Sequence, residues 1–143
     1  IIKAGSSDAL IASQDHMPTL RELLETEVPE TVEGRSFAPL ILGNEFTEPE
    51  DAFLCMIPGM PELVEPYWKL GLSHKAFGWR GIYTKRYTYV EDRGTVPGEG
   101  RKRLLYDRKM DPFQMNPKIL NEEEAEKWSL RLSEYLAFQK NCI

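Results

Sequence analysis

The side chains that could perform chemistry are few and widely separated. The two histidines, His16 and His74, lie in different segments without a cysteine or carboxylate at zinc-ligand spacing. No G-x-S-x-G, P-loop or G-x-G-x-x-G motif occurs in the sequence. Asp107 and Asp111 are four residues apart in a predicted turn, where carboxylates accept hydrogen bonds from backbone N–H groups more often than they bind a metal. The sequence therefore predicts neither a catalytic set nor a metal site in this chain.

Positive charge is concentrated in the centre of the chain. The formal net charge is −5, but residues 69–109 carry 11 basic and 4 acidic side chains, a local charge of +7. Such a field could attract an anionic substrate. Alternatively, Lys and Arg on the solvent face and edges of a hairpin serve only to discourage aggregation. The sequence leaves both explanations open.

This basic stretch has the pattern of an antiparallel sheet. Aromatic and β-branched residues are dense in residues 79–90. The alternation breaks at Lys85-Arg86, which predicts a two-residue turn inside a hairpin. A third strand is predicted at residues 103–106, and Asp111-Pro112 closes the meander. These strands must position any functional side chain in this region.

The segments before the sheet are predicted to be a helix, a coil and a strand. The helix starts near Asp15, tolerates Pro18 in its first turn, and packs through Leu20, Leu23 and Leu24. Residues 28–40 are interrupted by Pro and Gly, which predicts ordered coil. Residues 51–58 predict a short buried strand that pairs with the meander, with Cys55 as a small core residue. Residues 60–72, interrupted by Pro66, predict a loop with one helical turn.

A long amphipathic helix is predicted at the C-terminal end. Asn121 is its expected N-cap and Glu124 can complete a capping box. Apolar residues then follow at helical spacing: Ala125, Trp128, Leu132, Tyr135 and Leu136. A helix of about 18 residues should therefore cover one face of the sheet.

The totals are those of one globular domain or a large piece of one. The chain has 143 residues, 41% of them hydrophobic and 29% charged. No apolar run approaches the roughly 18 residues of a membrane span, and Ile1-Ile2 resembles the end of a strand in the middle of a longer protein. The two cysteines allow one disulfide at most. They leave the compartment open, and a periplasmic or secreted parent protein is compatible with them.

Two ordered runs of residues resemble the type I sulfatases. Residues 79–90, WRGIYTKRYTYV, followed by LLYD at 104–107 and by Asp111-Pro112, are similar to the C-terminal signature of that family. Tyr83 stands where the family usually has Arg, and Pro117 follows Asn116 where a second Asn or a Leu is common. Residues 15–20, DHMPTL, with Pro29, GRS at 34–36 and PL at 39–40, resemble a second, earlier run. Together the two runs cover about 90 residues.

The resemblance implies an α+β fold at the end of a larger enzyme. It implies a small antiparallel sheet of about four strands packed against a long C-terminal helix. The expected division is 1–43 as the tail of the catalytic α/β domain and 44–143 as the C-terminal subdomain. The formylglycine nucleophile and the calcium of the family belong to motifs that precede these runs. Cys55 is followed by Met56-Ile57-Pro58, which is not the C-x-P-S-R pattern that yields formylglycine. The resemblance therefore implies no catalytic residue and no metal in this chain.

The resemblance also suggests where substrate would contact the chain. In similar proteins the C-terminal subdomain borders the active-site cleft, which makes His74, Lys75 and Arg80 candidate substrate-binding residues. Each can donate charge-assisted hydrogen bonds to an anion, His74 when it is protonated. The alternative is that His74 and Lys75 are merely solvated, while Arg80 pairs across the sheet with a carboxylate such as Asp107.

Three functions remain open from the sequence. The first is a C-terminal fragment of a sulfatase that supports the remainder of the catalytic domain and borders the pocket for a sulfated small molecule or glycan. The second is the same role in a related phosphoester or phosphonate hydrolase. The third is a non-catalytic module that binds sulfated or other anionic polymers through its basic stretch, with nucleic acid a weaker expectation because no nucleic-acid motif is present.

Overall fold

The computed structural model describes residues 5–138, which fall into two compact units, Ile1–Ala52 and Phe53–Ile143. The strand end expected at Ile1-Ile2 lies outside the described residues. The division at 43/44 between catalytic-domain tail and subdomain stays a prediction. No helix within residues 5–138 combines the length and the apolar character needed to cross a membrane.

The first unit contains two helices, α1 (His16–Leu23) and α2 (Ala38–Leu42). The helix predicted near Asp15 is confirmed, with Pro18 in its first turn. Its predicted packing face is wrong, because Leu20 and Leu24 are exposed while Pro18 and Thr19 are buried. The hydrogen bonds of this segment give the reason.

A buried polar cluster holds α1 against the coil that follows it. The Asp15 carboxylate accepts hydrogen bonds from the backbone N–H of Ala12 and of Arg35, each at 2.8 Å. The Thr19 hydroxyl donates to the Asp15 carbonyl at 2.6 Å and accepts from the Phe37 N–H at 2.9 Å. Because unpaired buried backbone groups are costly, these bonds select the Asp15–Thr19 face of α1 for burial.

Gly34 permits the close approach of these two segments. A Cβ atom built at Gly34 would lie 2.0 Å from the backbone oxygen of Gln14, well inside van der Waals contact. Asp15, Thr19 and Gly34, which belong to the sulfatase-like run at residues 15–40, therefore have structural roles.

The second unit is built on a five-stranded sheet in the order β1-β2-β3-β4-β5. The strands are β1 (Asp51–Met56), β2 (Trp79–Thr84), β3 (Tyr87–Asp92), β4 (Lys102–Asp107) and β5 (Lys118–Ile119). The pairs β2–β3, β3–β4 and β4–β5 are antiparallel. The predicted sheet is thus confirmed, with the two-residue β5 as an addition.

The hairpin between β2 and β3 turns at Lys85-Arg86, as predicted. The hydroxyl of Thr84 closes it: Thr84 Oγ1 accepts from the N–H of Tyr87 at 2.8 Å and donates to the Tyr87 carbonyl at 3.1 Å. The register then places Ile82 opposite Tyr89, and Tyr89 opposite Leu105. Residues at these paired positions share one face of the sheet.

The C-terminal helix α4 (Glu122–Phe138) covers that face. Its capping box is present in both directions, because the Glu124 N–H donates to Asn121 Oδ1 at 2.9 Å and the Asn121 N–H donates to Glu124 Oε2 at 3.1 Å. Three of the five predicted helix positions are in the buried core, and Tyr135 and Leu136 are partly buried against it. The core consists of Phe53, Ile82, Tyr89, Leu120, Ala125, Trp128 and Leu132. Large apolar side chains of this kind stabilise the fold by roughly 1.5–3 kcal/mol each when fully buried.

Two predictions about the segments flanking β1 are wrong. Cys55 is exposed, because β1 is buried only at its first three residues. Residues 61–69 form a nine-residue helix, α3 (Pro61–Lys69), not a loop with one turn. Pro61 starts this helix at a position where a missing N–H costs nothing. Val64 and Tyr67, one turn apart on the same side, are buried, and their burial offsets the single helical hydrogen bond that Pro66 cannot make.

Candidate functional site

The predicted substrate-binding residues His74 and Lys75 lie in the connection between α3 and β2. His74–Ala76 form one turn of 3-10 helix, and His74 and Lys75 are both half-buried. Half-burial of this kind restricts a long side chain while leaving its charged end accessible to an anion. We name residues 73–78 the cationic loop.

Arg80 supports the backbone of the cationic loop through hydrogen bonds. Its side chain is 0% exposed. Its guanidinium donates hydrogen bonds to the carbonyl of Phe77 at 2.7 Å and to the carbonyl of Lys75 at 2.6 Å. These bonds fix the backbone on both sides of Ala76, and with it the direction in which the Lys75 side chain leaves the loop.

Asp107, the carboxylate given as an example of a partner for Arg80, is paired with Arg86. Arg86 Nη2 lies 2.7 Å from Asp107 Oδ2, and its Nε is 3.2 Å from each carboxylate oxygen. The hydrogen bond from Arg86 holds the pKa of Asp107 below its usual range. Asp107 and Asp111 also accept backbone N–H groups, those of Lys109 at 3.1 Å and Asn116 at 2.7 Å, as predicted.

Further contacts tie the cationic loop to α3 and to the loop that follows β3. The rings of Tyr67 and Phe77 stack with centroids 4.4 Å apart, and the Tyr67 hydroxyl donates to the Thr95 carbonyl. The Gly78 N–H donates to the Gly94 carbonyl at 2.7 Å. Gly78 has φ of +79°, and a Cβ atom there would lie 2.0 Å from the Met56 oxygen, so only glycine fits. The C-terminal end of the cationic loop is therefore anchored to α3 and to the segment after β3.

An aromatic residue that the sequence did not single out stands beside this loop. Trp68, on α3, is 59% exposed, and its ring meets that of His74 with centroids 6.2 Å apart and planes at 79°. The signal was hidden because residues 60–72 were predicted to be mostly loop. In the helix α3, Tyr67 faces the core and its neighbour Trp68 is exposed, so the structure reveals Trp68 as an exposed aromatic residue.

Some of the basic side chains in residues 69–109 make contacts within the fold. Arg86 is bound to Asp107, and Arg108 lies over the ring of Tyr83 at 3.7 Å while donating to its hydroxyl. Tyr83 stands at the signature position where the resemblance leads us to expect Arg. In this chain Tyr83 contacts Arg108, the residue that follows β4. Part of the local +7 charge therefore serves the scaffold.

A concave surface lies on the face of the sheet that carries Trp79, Val90, Leu104 and Tyr106, around an open groove of about 410 Å³. Among the described residues that line it, Asp92 alone carries a charge, and that charge is negative. An anionic ligand is disfavoured there, so the cationic loop is the better candidate site.

The described residues offer no site for the calcium or the formylglycine that the resemblance implies for a whole sulfatase. Among residues 5–138 no three His, Cys, Asp or Glu side chains come together as a metal site. Cys55 lies at the exposed end of β1 within the sequence CMIPGM.

Comparison with known proteins addresses the family. No family model matches the chain. An endo-4-O-sulfatase from Bacteroides thetaiotaomicron is 35% identical over 132 residues, which is 86% of this chain and 24% of that protein. This similarity confirms the resemblance to the sulfatases. The chain spans only about a quarter of the length of this sulfatase.

Solved structures show the same architecture. One from Bacteroides thetaiotaomicron, described under the metabolism of multiple glycosaminoglycans, matches 94% of this chain with a TM-score of 0.60 and 30% identity, and the match covers 27% of its own chain. A phosphonate monoester hydrolase of Agrobacterium radiobacter matches 90% of this chain and 25% of its own, with a TM-score of 0.57 and 24% identity. The second likeness shows the fold alone. The expected α+β architecture is confirmed.

Proposed function

We propose that this chain is part of a sulfatase, a hydrolase acting on sulfuric esters, in which it supports the fold and borders the substrate pocket through the cationic loop. The observation that carries the proposal is the 35% identity to an endo-4-O-sulfatase over 86% of the chain. The cationic loop adds a physical reason, because a sulfate group is an anion that favours fixed cationic donors.

His74 and Lys75 would contact the substrate in this proposal. The ammonium of Lys75 offers three N–H donors, and a protonated His74 offers two. Arg80 remains a predicted substrate-binding residue, but its bonds to the carbonyls of Lys75 and Phe77 support a positioning role. A buried guanidinium that already donates to two carbonyls has fewer donors left for a ligand.

The nucleophile and metal would come from the remainder of the catalytic domain, which is the partner proposed for this chain. Residues 1–43 would be the tail of that domain and residues 44–143 the C-terminal subdomain. The purified 143-residue chain should then hydrolyse no aryl sulfate, since an activated nucleophile and a metal are both required. Metal-dependent turnover by this chain alone, with contaminating hydrolases excluded, would refute this division of labour.

The coding sequence upstream of Ile1 tests the proposal directly. We expect it to encode C-x-P-S-R or its serine equivalent, followed by the two runs found in this chain. The intact protein should hydrolyse a sulfate ester. An upstream sequence without that motif would refute the proposal that this chain is part of a sulfatase.

A phosphonate monoester hydrolase is the second candidate, because proteins with that activity share the fold. The intact protein should be assayed on a sulfate ester and a phosphonate monoester with the same leaving group. A higher kcat/KM on the sulfate ester is expected, and the reverse order would favour the second candidate.

A non-catalytic module for anionic polymers is the third candidate, supported by the charge of residues 69–109. Retention on a heparin column that falls with salt, together with no hydrolysis of either ester by the intact protein, would favour this candidate.

A further inference from the structure

We propose that Trp68, His74 and Lys75 form one binding surface for a sugar ring of an anionic saccharide. The indole of Trp68 would lie against the apolar C–H face of the ring, while His74 and Lys75 would bind a sulfate or carboxylate carried by the saccharide. This inference rests on the proposed function and specifies its substrate class. It adds Trp68, a residue on a different element from the cationic loop.

The contact between Trp68 and His74 leaves room for such a ring. The two ring planes meet at 79°, so the contact is edge-to-face and occupies at most one face of the indole. The side chain remains 59% exposed. A large, flat, exposed aromatic surface beside a hydrogen-bonding imidazole presents an apolar contact and a polar contact at the same place.

The surface is rigid, which reduces the entropy lost when a ligand binds. Tyr67, the residue before Trp68, is buried, stacks on Phe77 and donates its hydroxyl to Thr95. Arg80 fixes the other side through the carbonyls of Lys75 and Phe77. Trp68 and the cationic loop are therefore held in one arrangement by contacts on the protein side of the surface.

The charges near Trp68 favour an anion. Lys75 and, when protonated, His74 are positive. The acidic side chain on α3 one turn before Lys69 is Glu65, which is paired with the Lys69 ammonium at 2.9 Å and so is locally compensated. A neutral sugar could stack on the indole but would leave the two cationic groups without a partner, so the structure favours a charged saccharide.

Exposed apolar side chains near Trp68 offer a rival occupant. Leu70 and Leu72 are also exposed, and a patch of this kind can dock a second protein. His74 beside the indole and Lys75, the next residue of the same 3-10 turn, favour the saccharide, because charged residues are depleted from the centre of protein interfaces.

The experiment uses the intact protein that contains this chain and two probes, a 4-O-sulfated chondroitin tetrasaccharide and the unsulfated tetrasaccharide. Calorimetry gives Kd for wild type, Trp68→Ala, Trp68→Phe and Lys75→Ala. Phe113→Ala is the matched control, because Phe113 is an aromatic residue that is 86% exposed in the segment after β4. Hydrolysis of an aryl sulfate is measured in parallel, since it reports the proposed function without a saccharide.

Trp68→Ala should weaken binding of the sulfated probe about tenfold, equivalent to ~1.4 kcal/mol. Trp68→Phe, which keeps an aromatic face, should weaken it less than about threefold, and Phe113→Ala should change nothing. Lys75→Ala should weaken binding of the sulfated probe more than that of the unsulfated probe, which keeps only its carboxylates as anionic groups.

Wild-type affinity in Trp68→Ala, with aryl sulfate hydrolysis intact, would overturn this inference and leave the proposed function standing. Self-association that disappears in Trp68→Ala without any change in saccharide affinity would also overturn it, in favour of protein docking. No sulfate ester hydrolysis by the wild-type protein would overturn the proposed function, and with it the choice of a sulfated saccharide.

Discussion

Replacing Arg80 by Met should remove the hydrogen bonds that support the cationic loop and should lower the stability of the protein. The substitution keeps a long apolar stem and removes the guanidinium that donates to the carbonyls of Lys75 and Phe77 at 2.6 and 2.7 Å. Each charge-assisted bond contributes about 1.5–3 kcal/mol, and the carbonyls left without a donor add to the loss. With two such bonds lost, we expect the free energy of unfolding to fall by about 3–6 kcal/mol. Arg80→Lys, which can reach one carbonyl, should lose about half as much.

Urea denaturation followed by circular dichroism measures these changes, and Arg86→Met is the control. Arg86 is half exposed and its pair with Asp107 lies at the surface, so its loss should cost far less. In the intact protein at a temperature where Arg80→Lys stays folded, KM for the sulfated substrate should rise more than kcat falls, because the loop is displaced. Unchanged stability in Arg80→Met combined with a raised KM would contradict the positioning role and restore direct substrate contact.

Three further predictions concern the scaffold. Gly34→Ala should lower the free energy of unfolding by about 2 kcal/mol or more, because the new Cβ would lie 2.0 Å from a backbone oxygen; Gly5→Ala, with nothing within 4 Å, is the control in the same urea titration. Asn121→Ala should cost about 1 kcal/mol by thermal denaturation, because it removes the N-cap of α4, and Asn121→Ser should recover most of it. Burial raises the pKa of Tyr89 from 10.0 to about 12. Its stabilising contribution is therefore complete below pH 10 and is lost as the pH rises towards 12. The stability difference between wild type and Tyr89→Phe should fall by about 2 kcal/mol over that window, and a difference that stays constant would refute the raised pKa.

The predictions that succeeded rest on short-range signals. The turn at Lys85-Arg86 follows from a break in alternation, and the start of α4 follows from the Asn121 and Glu124 spacing. Both signals are complete within a few residues of sequence. The family resemblance is of the same kind, because it is carried by two local runs.

The predictions that failed depend on contacts between distant residues. The helix α3 forms despite Pro66 because Tyr67 is buried against Phe77 and tied to Thr95, and no local pattern reveals those partners. Cys55 lies in a uniformly apolar run, which cannot show where β1 leaves the core.

The candidate site shows the same limit. The cationic side chains of the loop are visible in the sequence, but the bonds from Arg80 to the carbonyls of Lys75 and Phe77 require the folded loop. The pairing of Trp68 with His74 requires α3, so an error in one element concealed a neighbouring feature.

Two hydrogen bonds connect the candidate site to the segment after β3, one from the cationic loop and one from α3. The Gly78 N–H is held by the Gly94 carbonyl, and Tyr67 is held by the Thr95 carbonyl. An insertion or deletion between residues 94 and 100 would therefore shift both α3 and the cationic loop without altering a single cationic residue. Loop length tolerates change far better than a buried core does. If the cationic loop binds substrate as proposed, a change in the length of this turn alone should alter which substrates the protein binds.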